Sequence, residues 1–367
     1  MVEAVRSGPT MAVVARMAGV SVPTVSKVVN GRGGVAAATR DRVAEALRQV
    51  GYLREPSTPF DQRGSGRLVD VVMHGLRSSY AANVLGGIEA AARETGLDVV
   101  VAASEAEQSH RESPAGGWLD HLIDRGTGGV LLVLVETTSA QHEWLTHFGI
   151  PCVVVDPITS PPDGVPTVAA SNEKGGYDAT RHLLELGHTR IAHLGGSAPK
   201  LCARSRLAGY RSALADAGMD VPAGYQPDGN FQEARAQAEM DRLLALPEPP
   251  TAVFAASDLM AIGVCRAIRA HGLQVGRDIS VVGFDDVEEA RVTVPALTTV
   301  RQPLVDMGRT GLDLLARSMR GEEVTGHVEL RTELVVREST AAPRQRPVKS
   351  TTVVRGGTSI DRRSGTS

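Results

Sequence analysis

The sequence predicts an α/β protein: an N-terminal three-helix, helix-turn-helix headpiece followed by two doubly wound parallel-sheet lobes. Three observations predict it. Residues 10–50 carry apolar side chains at helical spacing, interrupted by glycines. From Leu68 onward, short apolar strands alternate with helices, and the alternation starts afresh near Val168. Finally, a chain of 367 residues exceeds what one hydrophobic core organises, since cores stop growing at about 250–300 residues.

In the headpiece, Thr10 is a suitable N-cap for a helix from Met11 to Ala18, with Val13, Val14 and Met17 at apolar positions. Gly19 stops that helix. Ser21 is placed to cap a second, from Val22 to Val29, and Pro23 falls in its first turn, where a missing N–H costs nothing. Asn30-Gly31 ends it. A third helix starts near 37–39 and runs through Val43, Ala46, Leu47 and Val50 to Gly51-Tyr52. Two short helices joined by a glycine turn form the pattern whose second helix enters a DNA major groove. Residues 56–66, rich in Pro, Ser and Gly, read as a linker.

In the body, strands are expected at 68–73, 98–103, 130–135 and 151–156, with helices at 81–95, 118–125 and 142–148. A second series restarts at Val168: helix 174–186, strand 191–194, helices 205–217 and 233–246, strand 252–255, helix 259–270 and strand 280–284. Two such series make two lobes, and ligands bind between the C-terminal ends of their strands. Asp156 and Asp285 both end apolar strands, where an acid either caps a turn or meets a ligand. Asp258 is expected to cap its helix. The domain division is therefore headpiece 1–55, linker 56–66, two-lobed body 67–340 and a disordered basic tail 341–367.

Composition narrows the function. Hydrophobic residues at 42% and charged residues at 22% describe an ordinary globular chain, and no apolar run reaches the ~20 residues of a membrane span. The first residues lack a secretory apolar region, so a cytoplasmic protein without membrane partners is expected. Residues 1–55 hold eight Lys/Arg against four Asp/Glu, and residues 341–367 hold six against one, within a chain of net charge −3. A basic head on an acidic body suits a nucleic-acid reader with a separate sensor. Cys152, Cys202 and Cys265 make no metal pattern, and dinucleotide, P-loop and nucleophile-elbow motifs are missing. No metal, cofactor or catalysis is expected.

The run Ala15-Arg16-Met17-Ala18-Gly19-Val20-Ser21-Val22-Pro23-Thr24-Val25-Ser26-Lys27-Val28-Val29-Asn30, with Thr39-Arg40-Asp41-Arg42-Val43 and Gly51-Tyr52, closely resembles the headpiece of the lactose/galactose-repressor family. Family-like stretches in the body include Arg206-Leu207-Ala208-Gly209-Tyr210, Ala256-Ser257-Asp258-Leu259-Met260-Ala261 and Ser280-Val281-Val282-Gly283-Phe284-Asp285-Asp286. The resemblance implies a periplasmic-binding-protein-like body and a repressor whose affinity for DNA is altered by a small carbohydrate between the lobes. It implies a homodimer reading an operator inverted repeat, and residues 341–367 carry no leucine heptads for a tetramerising helix. Val22, Pro23 and Lys27 fall at base-reading positions. Thr10, Ser21, Thr24, Ser26 and Asn30 are short donors suited to phosphate oxygens. In the family, the linker inserts a leucine into the minor groove. Here Asp61 stands at that position, next to Phe60. For the effector, the matching residues are Asp156, Arg206, Phe231, Ser257, Asp285 and Gln302, with His74 at the pocket mouth. Ser257 replaces an amide and Leu304 an aromatic found in some relatives. A sugar-binding module without DNA regulation, or a regulator answering to a phosphosugar or nucleobase through Arg204 and Arg206, are the alternatives.

Overall fold

The computed structural model describes residues 11–29, 35–49, 67–104 and 118–344. Thr10, Asn30, the linker with Phe60 and Asp61, and residues 345–367 lie outside the described residues.

Helices α1 (Met11–Ala18), α2 (Val22–Val29) and α3 (Ala37–Gln49) form the headpiece. Val14, Val25 and Val43, one from each helix, are fully buried, and this small core fixes how α2 is presented. Gly19 makes the turn at φ +64°, a conformation that costs other L-residues about 1–2 kcal/mol. It lets the Val20 N–H close back on the Ala15 carbonyl at 3.0 Å.

The first lobe begins with β1 (Leu68–Met73), α4 (Ser79–Thr95), β2 (Asp98–Ala103), α5 (Trp118–Arg125), β3 (Gly129–Val133), α6 (Ser139–His147), β4 (Cys152–Val155) and β5 (Thr167–Ala170). The chain then crosses to the second lobe. There it forms α7 (Asn172–Glu185), β6 (Ile191–Leu194), α8 (Leu201–Asp216), α9 (Glu233–Leu244), β7 (Ala252–Ala255), α10 (Asp258–Ala270), β8 (Ser280–Asp285), α11 (Glu288–Val292) and β9 (Thr298–Arg301). It returns through α12 (Leu304–Met319) and β10 (His327–Leu330) to the first lobe, and crosses once more to β11 (Glu333–Val335). The first sheet, in order β10-β5-β4-β3-β1-β2, is wholly parallel. The second, β11-β9-β8-β7-β6, is parallel except for the antiparallel edge strand β11.

Two expectations need correction, and one stretch without a predicted element gains its place. The strand at Val168 does not open the second series: Val155 pairs with Val168, so β5 closes the first sheet and the crossing follows it. A buried four-residue strand carries no sign of which sheet it joins. Residues 304–330, for which periodicity predicts no element, form α12 and β10 and are first-lobe structure. Met307, Leu312 and Leu315 of α12 enter that lobe's core beside Val84 and Ile88 of α4. The body also does not end at 340. The Ala341 N–H donates to Ser280 Oγ at 3.0 Å, His188 Nε2 lies 2.8 Å from the Ala341 carbonyl, and Arg344 pairs with Asp278 at 3.0 Å. These polar ties carry no apolar period, so the sequence pattern missed them.

Candidate functional site

The headpiece offers one face. Val22, Pro23 and Lys27 of α2 are exposed, with Val22 at 41%, while Val25 on the opposite side is buried. An exposed apolar side chain next to an exposed Lys on a short helix suits contact with base edges in a groove, the Lys with guanine and the apolar group with a thymine methyl. Ser21 precedes the helix: its carbonyl accepts from Thr24 N–H at 2.8 Å, and its hydroxyl lies 2.8 Å from Thr24 Oγ1. Ser21 is exposed, and Thr24 and Ser26 are half-buried along the same edge.

The second site is the cleft between the lobes. Strand β4 ends at Asp156 and β8 at Asp285; both residues take left-handed backbone, φ +50° and +121°, as does Phe231 at +56°. Such conformations at non-glycine residues cost about 1–3 kcal/mol each and persist where packing over-determines them, often at binding sites. The Tyr80 hydroxyl, from the first turn of α4, donates to Asp156 Oδ2 at 2.7 Å. From the second lobe, Arg206 on α8 donates through Nε to Asn172 Oδ1 at 2.8 Å and through Nη1 to the Ala256 carbonyl, and its Nη1 lies 3.7 Å from Asp285 Oδ1. Its guanidinium rests on the Phe284 ring at 3.7 Å, a cation–π contact. Gln302, on the crossing after β9, donates through Nε2 to Asp285 Oδ1 at 2.7 Å, and its Oε1 is buried with no partner among the described residues.

The electrostatics join the two lobes. Burial pushes the Asp285 carboxyl up to about 6, against the pull of Arg206 and the Gln302 hydrogen bond; Asp156 adds to the rise. Burial likewise raises Asp156, which Arg206 and the Tyr80 hydroxyl partly offset. Burial raises the Tyr80 phenol well above its usual range, and Asp156 and Asp285 add to it. The neighbouring Cys202 thiol is driven up to about 11 by burial, which leaves it protonated and inert.

Not every expected residue joins this cluster. The Ser257 hydroxyl accepts from Met260 N–H at 3.3 Å and caps α10, the role expected of Asp258. Asp258 instead is fully buried, accepting from Thr299 Oγ1 and from Val287 N–H at 3.0 Å, and so ties β9 and the loop after β8 to α10. Phe231 packs its ring on Gly196, with Lys200 Nζ 5.1 Å from the ring centroid. His74 Nδ1 lies 3.2 Å from the Ser104 carbonyl at the end of β2. Arg204 is exposed on α8 away from Arg206, so the two do not converge on one phosphate. Tyr80 and Asn172 were missed. Tyr80 had a signal, a tyrosine opening the helix after the first strand, whereas Asn172 had only its place at a strand-to-helix junction.

A three-helix unit with an exposed second helix, together with a polar cleft between two lobes, defines a DNA-binding protein with a small-molecule effector domain. Residues 10–55 match the family model "Bacterial regulatory proteins, lacI family", and residues 180–340 match "Periplasmic binding protein-like domain". The HTH-type transcriptional repressor CytR of Escherichia coli (strain K12) is 33% identical over 337 residues, spanning 91% of this chain and 96% of that protein. Among solved structures, a complex of the transcriptional regulator CelR with cellobiose superposes with a TM-score of 0.71 at 34% identity, covering 90% and 99% of the two chains. The Lac repressor dimer bound to operator and the anti-inducer ONPF gives 0.65 at 28%, covering 92% and 100%. The chain belongs to the lacI family of bacterial regulatory proteins: it is a DNA-binding transcriptional regulator with a small-molecule effector domain, not an enzyme. No single helix among the described residues is long and apolar enough to cross a membrane.

Proposed function

We propose that this regulator is a cytoplasmic, dimeric repressor whose hold on an operator inverted repeat is set by an uncharged carbohydrate bound between the lobes. The observation that carries the reading is the polar cluster shared by both lobes. Tyr80 and Asp156 stand on one side, Arg206, Asp285 and Gln302 on the other, and each carboxylate shifts with charges from the opposite lobe. Carboxylates, an amide and a guanidinium are the groups that meet vicinal hydroxyls. An anionic effector fits poorly. Two acids face one Arg, and that Arg already serves Asn172, Ala256 and Asp285. The cellobiose bound by CelR supports a sugar, and the operator-bound Lac repressor dimer supports a two-fold reader.

The ligand acts by binding one arrangement of the lobes more tightly than the other, which shifts the spacing of the two headpieces. Fluorescence anisotropy on inverted repeats near the protein's own gene, at constant salt, tests this with neutral sugars, sugar phosphates and nucleosides titrated in. One neutral sugar should release the DNA. Response only to a phosphorylated sugar or a nucleoside, or to nothing, rejects the carbohydrate assignment.

A further inference from the structure

The second lobe holds another cavity, of about 160 Å³, that shares no residue with the Tyr80–Asp156–Arg206–Asp285–Gln302 cluster. It lies between the sheet-facing side of α8, at Ala203 and Leu207, and the edge of the sheet, where residues 226–228 run beside β6. That edge is well tied. The His193 N–H donates to the Tyr225 carbonyl at 2.9 Å, Gly195 N–H to Pro227 at 2.9 Å, and Gly229 N–H to Gly195 at 2.8 Å. Gly195, Gly196 and Ala203 have little or no side chain to fill the space beneath α8.

One wall is His193, only 1% exposed and stacked on Tyr210 with ring centroids 5.2 Å apart. Its Nδ1 lies 3.2 Å from the Phe254 carbonyl, which only accepts, so Nδ1 carries the proton. Burial drives this imidazole down to about 3, so the ring is neutral and Nε2 presents a bare lone pair. Nε2 is buried and has no partner among the described residues. It sits beside Gly195, where a Cβ would stand 3.5 Å away and begin to cover it. At the mouth, Arg204 is exposed, and its guanidinium has no polar partner among the described residues. Gln226 and Asp228 are already engaged, by Arg211 at 2.6 Å and by the Asn230 N–H at 2.7 Å.

We propose that this cavity is a second small-molecule site, for a neutral polyol or a single pyranose ring, with one hydroxyl donating to His193 Nε2 and another accepting from Arg204. A buried acceptor in need of a donor, an apolar wall of Ala203, Leu207 and Pro227, and a cation at the rim suit a molecule with hydroxyls on two sides and C–H surface between. The volume is close to the ~150 Å³ of an apolar protein cavity that binds benzene, which sets the scale at one ring. The site borders Gly196, against which the Phe231 ring packs closely. An occupant that moves the loop at 195–198 moves Phe231.

The full chain labelled with ¹⁵N-histidine, titrated with xylitol and with xylose, reports on His193 Nε2 directly, whatever binds in the cleft. Its resonance should move by several ppm and saturate at millimolar ligand. In Arg204→Ala, a surface change without a lost partner, the same shift should need about tenfold more ligand. Asp285→Ala, a change in the cleft, should leave the ligand concentration at half-shift unchanged. An Nε2 signal that stays still in both ligands, or a shift equally strong in Arg204→Ala, overturns the proposal and leaves an ordered water as the partner of His193.

Discussion

Asp285 combines burial, a left-handed backbone and a pKa near 6, so its charge state changes within reach of ordinary buffers. Its folded pKa lies above the unfolded value. Its contribution to stability is therefore greatest at low pH and is lost as the pH rises through about 6. Effector binding through the proposed cleft contacts runs the other way, because a carboxylate placed to accept from a ligand hydroxyl is discharged as the pH falls through about 6. Effector affinity measured by calorimetry between pH 7.5 and 5 should drop several-fold, and Asp285→Asn should flatten that dependence while weakening binding at pH 7.5. A wild-type affinity independent of pH removes Asp285 from the ligand contacts. On the DNA side, Lys27 is exposed on α2. Lys27→Ala should weaken the preferred operator by about tenfold, within the ~1–3 kcal/mol of a specific base contact, and flatten the preference over neighbouring sequences. Equal weakening on every sequence would make Lys27 a phosphate contact instead.

The helices are held at close range by glycines. A Cβ at Gly209 of α8 would run into the Glu173 carbonyl of α7, and one at Gly176 of α7 into the Arg206 carbonyl of α8. This pair sets α8 where Arg206 reaches Asn172. Gly209→Ala should push the helices apart, at a cost of about 1–3 kcal/mol for an overpacked core. Because the damage passes through Arg206, effector affinity should fall more than melting temperature, seen by calorimetry and thermal unfolding on one preparation. Loss of stability with unchanged affinity would show that α7–α8 spacing does not position the site. In the headpiece, Gly19 has nothing within 4 Å of where a Cβ would stand, so Gly19→Ala tests backbone strain alone. It should cost about 1–2 kcal/mol, lowering the headpiece transition while leaving the body's melting unchanged. An unaltered headpiece transition would mean that the turn relaxes.

At the scale of the whole molecule, three strands of chain join the lobes: after β5, after β9, and between β10 and β11. Three parallel connections favour a hinge that rotates the lobes over one that lets them drift apart. The second of them carries Gln302, which touches Asp285, so the crossing itself senses what fills the cleft. An effector that touches Tyr80–Asp156 and the second lobe together binds the folded body and not the unfolded chain. A saturating effector should therefore raise the melting temperature of the body, by about 2.7 kcal/mol of stability at a hundred times its Kd. Scanning calorimetry with and without the effector measures this. A ligand that releases DNA without stabilising the body would have to act somewhere other than the cleft.

Much of this was legible in the sequence because it is local. The glycine turn at Gly19, the apolar positions of α1–α3 and the short buried strands follow from backbone sterics and periodicity, which neighbours in the chain dictate. Asp156 and Asp285 were legible for a related reason: an acid at the end of an apolar strand needs a purpose wherever the strand lies. The sequence by itself thus determined the headpiece, the two-lobed class and the residues at the strand ends. Only the tertiary structure decided that β5, α12 and β10 belong to the first lobe, that Ser257 rather than Asp258 caps α10, and that Tyr80 and Asn172 join the cleft. It also decided that Arg204 faces a different cavity from Arg206. Each of these depends on which distant segments meet. Residues two apart on one helix, such as Arg204 and Arg206, share a sequence neighbourhood but point to different surroundings, and packing alone determines what those surroundings are.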